Sequence, residues 1–286
     1  MRKTCFNLIY ELAKKDDRVV YIGSDVGAGT LQAMKEEFPN RFFMEGISEQ
    51  NIIGMATGMA LSGMVVYVNT IATFITRRCY EQVVVDVALH NANVRLLANG
   101  GGLAYASLGP THEALDDIAL MRMIPNMTVI APADSEEMTR LMPQTVDYNG
   151  PIYIRFGRGN EEVVSSPPFE IGRANLMKEG KRALVITTGI TLGIALKVDD
   201  VTVLHVPTIK PLDEQAIMEW AVVSPKVITI EDHNIIGGLG SAIAELGIPV
   251  TRIGVPDEFV EIYGSQESQM KHYGITTEAI EDAISS

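Results

Sequence analysis

The sequence has little with which to staple itself. Among 286 residues there are two cysteines, Cys5 and Cys79, without CxxC spacing, so neither a disulfide framework nor a zinc site is available. Walker A, HExxH and GxSxG patterns are all absent, which removes the P-loop, zincin and nucleophile-elbow chemistries. Basic residues are few: 23 Lys and Arg against 36 Asp and Glu, a formal net charge of −13. That sign argues against nucleic acid and anionic membranes as partners, while a local pocket of arginines can still receive a small anion. No apolar run reaches the roughly 18–20 residues that span a bilayer. The opening stretch MRKTCFNLIYELAKK reads as an amphipathic helix and lacks the apolar core and cleavage site of a signal peptide. A reducing, cytoplasmic location is the expectation.

What the chain does have is 47% hydrophobic residues, enough for a large core. Short β-branched runs (RVVYIGSD, VVYVNT, NVRLLAN, MTVIAP, PIYIRF) alternate with helical patterns such as ISEQNIIGMATGMALSG. Continuous apolar strands alternating with helices imply parallel sheets covered on both faces. The segment RGNEEVVSSPPFEIG, residues 158–172, has linker chemistry. A second strand set follows it: RALVITTG, VTVLHVP, KVITIEDH and PVTRIGVP. The expected fold is α/β with two doubly wound domains, residues 1–160 and 172–286, joined by a linker at 161–171. ITLGIALKVDD is short for a full crossover helix.

Two glycine clusters, GSDVGAGTLQ and GGLGSAIAE, fail the dinucleotide fingerprint because Gln32 and Ile243 occupy its third small-residue position. His112, in LGPTHEALDD, is placed where a loop enters a helix, with Glu113, Asp116 and Asp117 as solvated helix-start acids. His112 and Asp116 have i,i+4 spacing, but no further cluster supports a metal site. A loop histidine at the carboxyl side of a parallel sheet suits a substrate contact. Arg155 interrupts the strand IYIRFGR near its end, where a planar guanidinium can clamp phosphate or carboxylate. Arg2 reads as a surface charge and Phe74 as core. Glu49, in FFMEGISEQNIIG, sits where an apolar strand becomes an apolar helix. It is either a helix-start acid or a desolvated reagent whose pKa is pushed in opposite directions by burial and by the helix N-terminus.

Read in order, IGSDVG, GISEQNIIGMATGMA, GPTHEALDDIALMRMIPNMTVIAPAD, YIRFGR, TIKPLD, EDHNIIGGLGSAIAE and HYGITTEAIEDAI cover nearly the whole chain. Together they resemble the C-terminal half of the transketolase family of thiamine-diphosphate enzymes. The resemblance implies a pyrimidine-binding domain followed by the family's C-terminal domain. The GDG…N signature of the diphosphate-binding half is missing. A split transketolase is therefore implied, with a separate N-terminal subunit carrying that motif and holding Mg²⁺ (or Ca²⁺), in an α2β2 assembly at least. By the same resemblance, Glu49 matches the glutamate that hydrogen-bonds N1′ of the cofactor's aminopyrimidine. Phe74 matches the aromatic residue packed on that ring, and His112 matches a catalytic, substrate-side histidine. Arg155 and Arg2 match arginines that hold a sugar phosphate. Asp25 and Arg77 join the cofactor-binding set.

Two departures bear on substrate. Leu108 stands where the family pattern has an aspartate reading a hydroxyl, and Gly100, in NGGG, stands where sugar-phosphate transketolases carry another histidine. Replacing a hydrogen-bonding group by an apolar one changes which hydroxyl is tolerated. The expected activity is two-carbon ketol transfer from a ketose (phosphate) to an aldose. Alternatives are the β subunit of a 2-oxo acid dehydrogenase, a deoxyxylulose-phosphate synthase-like enzyme, towards which TFITR leans, or a non-catalytic assembly subunit.

Overall fold

The computed structural model describes residues 1–24, 28–159 and 161–286. In the first sheet, strands β1 (Val19–Gly23), β2 (Phe42–Met44), β3 (Val65–Ile71), β4 (Val94–Asn99), β5 (Thr128–Ile130) and β6 (Ile152–Phe156) run parallel. In the second, β7 (Asn175–Lys178), β8 (Leu184–Thr187), β9 (Thr202–His205), β11 (Val227–Asn234) and β12 (Thr251–Val255) are ordered β12-β11-β8-β9-β7, with only β7 antiparallel. Strand β10 (Thr208–Lys210) leaves the second domain and pairs antiparallel with β5, completing the order β10-β5-β6-β4-β3-β1-β2.

Alternate residues of each central strand serve opposite cores. Val20, Ile22, Val66 and Val68 meet Ile52 and Ile53 of the Glu49–Leu61 helix. Val19, Tyr21, Val65 and Tyr67 meet Phe6 and Ile9 of the Arg2–Lys15 helix. Strands apolar on both faces cannot leave either face in water, so helices cover both. The α/β, doubly wound expectation is met. The short crossover between β8 and β9 is a 3₁₀ turn, Gly189–Thr191, with a four-residue helix, Leu192–Ala195.

The chain steps from β1 outward to β2, then returns to the other side of β1 as β3. The crevice between β1 and β3 is thus a topological switch point, where open parallel sheets receive ligands beyond their carboxyl ends.

One local expectation is corrected. The helix expected at His112 begins at Asp117, with Asp116 before it. Gly109, at φ +75°, closes a turn by accepting from His112 N at 2.9 Å, and Ala114 pairs with Gly102. That bridge holds residues 112–114 out of helical geometry. Glu113 and Asp117 are buried, not solvated, because the second domain covers them.

Candidate active site

The site is assembled at the carboxyl ends of β1, β2, β3, β4 and β6. Glu49 is the first residue of its helix, and Ile52 and Ile53 anchor that helix in the core. Its side chain is only 2% exposed. One carboxylate oxygen accepts from Thr70 Oγ1 at 3.3 Å, and Ser24 Oγ in turn reaches Thr70 Oγ1 at 3.0 Å, across the β1/β3 crevice. The other oxygen takes Arg78 Nη1 at 2.9 Å. A buried carboxylate requires such a partner, since an isolated charge away from water is costly.

From Glu49 a line of contacts runs across the sheet ends. The Arg78 guanidinium lies 4.0 Å from the centroid of the Phe74 ring. Phe74 meets the His112 ring edge-on at 5.3 Å, and His112 meets Tyr105 at 6.3 Å. Arg158 closes the line, its guanidinium 4.8 Å from the Tyr105 ring. His112 Nδ1 is engaged by the Thr111 hydroxyl at 2.9 Å. A buried carboxylate with an aromatic ring close by fits a nitrogen heterocycle of aminopyrimidine type. The ring supplies a stacking face and the carboxylate an acceptor.

The structure thus brings Glu49, Phe74 and His112 together. Arg77 is turned to the His112 loop: its Nε contacts Asp116 at 2.9 Å and its Nη2 donates to the Glu113 carbonyl at 2.9 Å. Leu108 is half exposed in the turn before that loop. Gly100 has φ +76°, and a Cβ there would lie 1.9 Å from the Tyr105 ring. The space a side chain at 100 would need is filled by Tyr105. Arg2 starts the helix that packs on the Tyr21 face, opposite the face carrying the Glu49 helix. Asp25 lies outside the described residues.

Arg155 is buried, and its Nε and Nη2 donors are committed to protein. Nε donates to Asp117 at 2.9 Å, and Nη2 to the Ala114 carbonyl at 3.3 Å and to the Asp232 carbonyl. The cavity beside it, bounded by Gly101, Gly157, Asp232 and Gln266, measures about 10 Å³, room for one water at most. Burial pulls the Arg155 pKa down, but the charges of Asp117 and Asp232 outweigh it, and the net shift is upward.

The motif EDHNIIGG explains how the second domain supports this site. The Glu231 carboxylate accepts from Leu239 N at 2.7 Å and Gly240 N at 2.8 Å, at the start of the Leu239–Glu245 helix. Asp232 accepts from Leu103 N at 3.1 Å, and Asn234 N donates to the Leu115 carbonyl at 2.9 Å. The loop carrying His112 is therefore held between the two domains. Gly101 and Gly102 permit this approach, since a Cβ at either would strike Arg155 or Asp232.

Sequence reasoning passed over Arg78, Tyr105 and Arg158. Arg158 carried a signal: it follows β6 in IYIRFGR, where an exposed arginine stands at a parallel strand's carboxyl end. Arg78 and Tyr105 carried none, because their partners are remote in sequence.

The fold and this constellation define a two-domain subunit of the thiamine-diphosphate enzymes. The chain belongs to the transketolase family. Residues 1–162 match the family's "Transketolase, pyrimidine binding domain" and residues 172–280 its "Transketolase, C-terminal domain". It is 36% identical to a subunit of the apulose-4-phosphate transketolase of Phocaeicola vulgatus, over 98% of this chain and 94% of that one. It is 34% identical to the 6-deoxy-6-sulfo-D-fructose transketolase subunit SqwH of Clostridium sp. (strain MSTE9), over 98% and 92%. A split gene transketolase, solved as an inactive beta4 tetramer, superposes with a TM-score of 0.90 at 32% identity, covering 99% of this chain and 98% of that one.

Proposed function

We propose that this chain is the pyrimidine-binding subunit of a split transketolase that moves a two-carbon ketol unit from a ketose to an aldose. The observation that carries the reading is Glu49: a carboxylate 2% exposed, at the switch point of a parallel sheet, with the Phe74 ring nearby. Subunit-type relatives of nearly the same length support it. The diphosphate and its Mg²⁺ are assigned to an N-terminal partner chain, because the GDG signature is absent here. An α2β2 complex is the smallest assembly with complete sites.

Thiamine diphosphate, when bound, would supply the nucleophilic carbon. Glu49 would hold the proton shared with the pyrimidine N1′, and its burial would keep water from competing for that proton. Phe74 would pack on the ring. His112, with Nδ1 held by Thr111, would offer Nε2 to the hydroxyls of the sugar. For the anion contact we prefer Arg158 to Arg155. It is exposed beyond β6 and stands over Tyr105, whereas Arg155 is engaged between the domains. A guanidinium fork suits a phosphate or sulfonate terminus equally. The two named relatives act on a sugar phosphate and a sulfo-sugar, which fits an acidic terminus as the shared substrate feature.

Reconstitution tests the reading. The chain is mixed with its GDG-containing partner, thiamine diphosphate and Mg²⁺, and ketol transfer between acidic sugars is followed. Decarboxylation of a 2-oxo acid in place of ketol transfer would move the chain to the dehydrogenase class.

A further inference from the structure

Arg78 makes two contacts at once, and they are the two that an aminopyrimidine would need. Its guanidinium lies 4.0 Å from the Phe74 ring centroid and donates to the Glu49 carboxylate at 2.9 Å. A guanidinium is planar, cationic at its edges and rich in N–H donors. In shape and hydrogen-bond polarity it resembles a protonated nitrogen heterocycle stacked on an aromatic ring. The Arg78 side chain is 43% exposed, whereas that of Glu49 is 2% exposed. The arginine therefore reaches the buried carboxylate from the open side and can withdraw into water without burying its charge. Its backbone is held apart from that choice: Gln50 Nε2 donates to the Arg78 carbonyl at 3.1 Å, within a short 3₁₀ turn, Arg77–Cys79. The neighbouring Arg77 is fixed to Asp116 and the Glu113 carbonyl and cannot substitute for it.

We infer that Arg78 is an internal stand-in for the cofactor's pyrimidine, occupying the Glu49–Phe74 half-site until the cofactor displaces it. The inference rests on the proposed role of Glu49. It gives Arg78 a purpose in the partnerless chain, where it neutralises a carboxylate that would otherwise be buried unpaired. It also makes cofactor affinity depend on the fraction of molecules whose Arg78 has swung out.

The test measures affinity rather than turnover. Thiamine diphosphate with Mg²⁺ is titrated calorimetrically into the complex reconstituted from this full chain and its partner, for wild type, Arg78→Ala and Arg78→Lys. Removing the competing pair and stack should tighten apparent binding by roughly five- to tenfold in Arg78→Ala. Arg78→Lys keeps the charge and loses the planar stack, so it should tighten binding less. If Arg78→Ala does not assemble, tighter binding by Arg78→Lys carries the inference. Unchanged or weaker binding in the assembled variants overturns it, weaker binding making Arg78 a cofactor ligand instead. A wild-type complex that binds no thiamine diphosphate sinks the proposed function itself, a result separate from either.

Discussion

Arg155 and Asp117 form an ion pair at 2.9 Å with side-chain exposures of 6% and 0%. Asp117 also receives the Tyr153 hydroxyl at 2.7 Å, and Arg155 ties the pair to the Asp232 carbonyl of the second domain. The strand-end arginine is thus the joint of the molecule. Replacing one partner strands a buried charge, so Asp117→Ala should cost about 3–5 kcal/mol. Urea denaturation of the isolated chain measures this; a cost below about 1 kcal/mol would show that the joint is not a stability element.

Glu49 is the residue on which activity should depend most steeply. Glu49→Ala in the reconstituted complex is expected to lower kcat by roughly 10²–10⁴-fold, while the chain still folds and assembles. Near-wild-type turnover by a folded, assembled variant would remove Glu49 from the chemistry.

Arg158 should act on substrate binding. Loss of a charge-assisted contact is worth about 1.5–3 kcal/mol. Arg158→Ala should therefore raise KM for acidic sugars by roughly 10- to 100-fold, with a smaller effect on sugars lacking the acidic group. Equal effects on both would refute an anion contact.

The two thiols should be inert in the native state. Burial pushes Cys5 and Cys79 up to about 12, and both are fully shielded from solvent. Little thiolate exists at neutral pH. A disulfide reagent at pH 8 should label neither until denaturant is added; fast labelling of the folded chain would contradict the burial.

Glu113 should leave a signature in the pH dependence of stability. Both of its oxygens are buried without a hydrogen-bond partner, and burial raises its pKa, the nearby charge of Asp232 adding to the rise. The folded acid keeps its proton to a higher pH than the unfolded one. Its favourable contribution is complete below the unfolded value, about 4.3, and is lost as pH rises through the raised folded value. Glu113→Gln should therefore match wild type in acid and exceed it in thermal stability near neutrality. A constant difference between the two across that range would exclude the mechanism.

Much of the fold was legible because parallel strands buried on both faces must be apolar at every position, as VVYVNT and NVRLLAN are. The helix containing Glu49 and Ile52 could likewise be read from local pattern. The His112 loop misled local reasoning. Its acids follow Pro110 and Thr111 as helix-start acids would, yet β-bridging to Gly102 and cover from Asp232 and His233 place Glu113 and Asp117 indoors.

By itself the sequence determined two α/β domains, a transketolase-family identity, and a carboxylate set between strand and helix. Those properties follow from residue type at short spacing. Only the tertiary structure decided which partner each arginine meets. Arg77, Arg78, Arg155 and Arg158 look alike in a one-dimensional string, and a guanidinium's role is set by the acceptor it meets. Those acceptors, Asp116, Glu49 and Asp117, and the ring of Tyr105 reach them from distant parts of the chain.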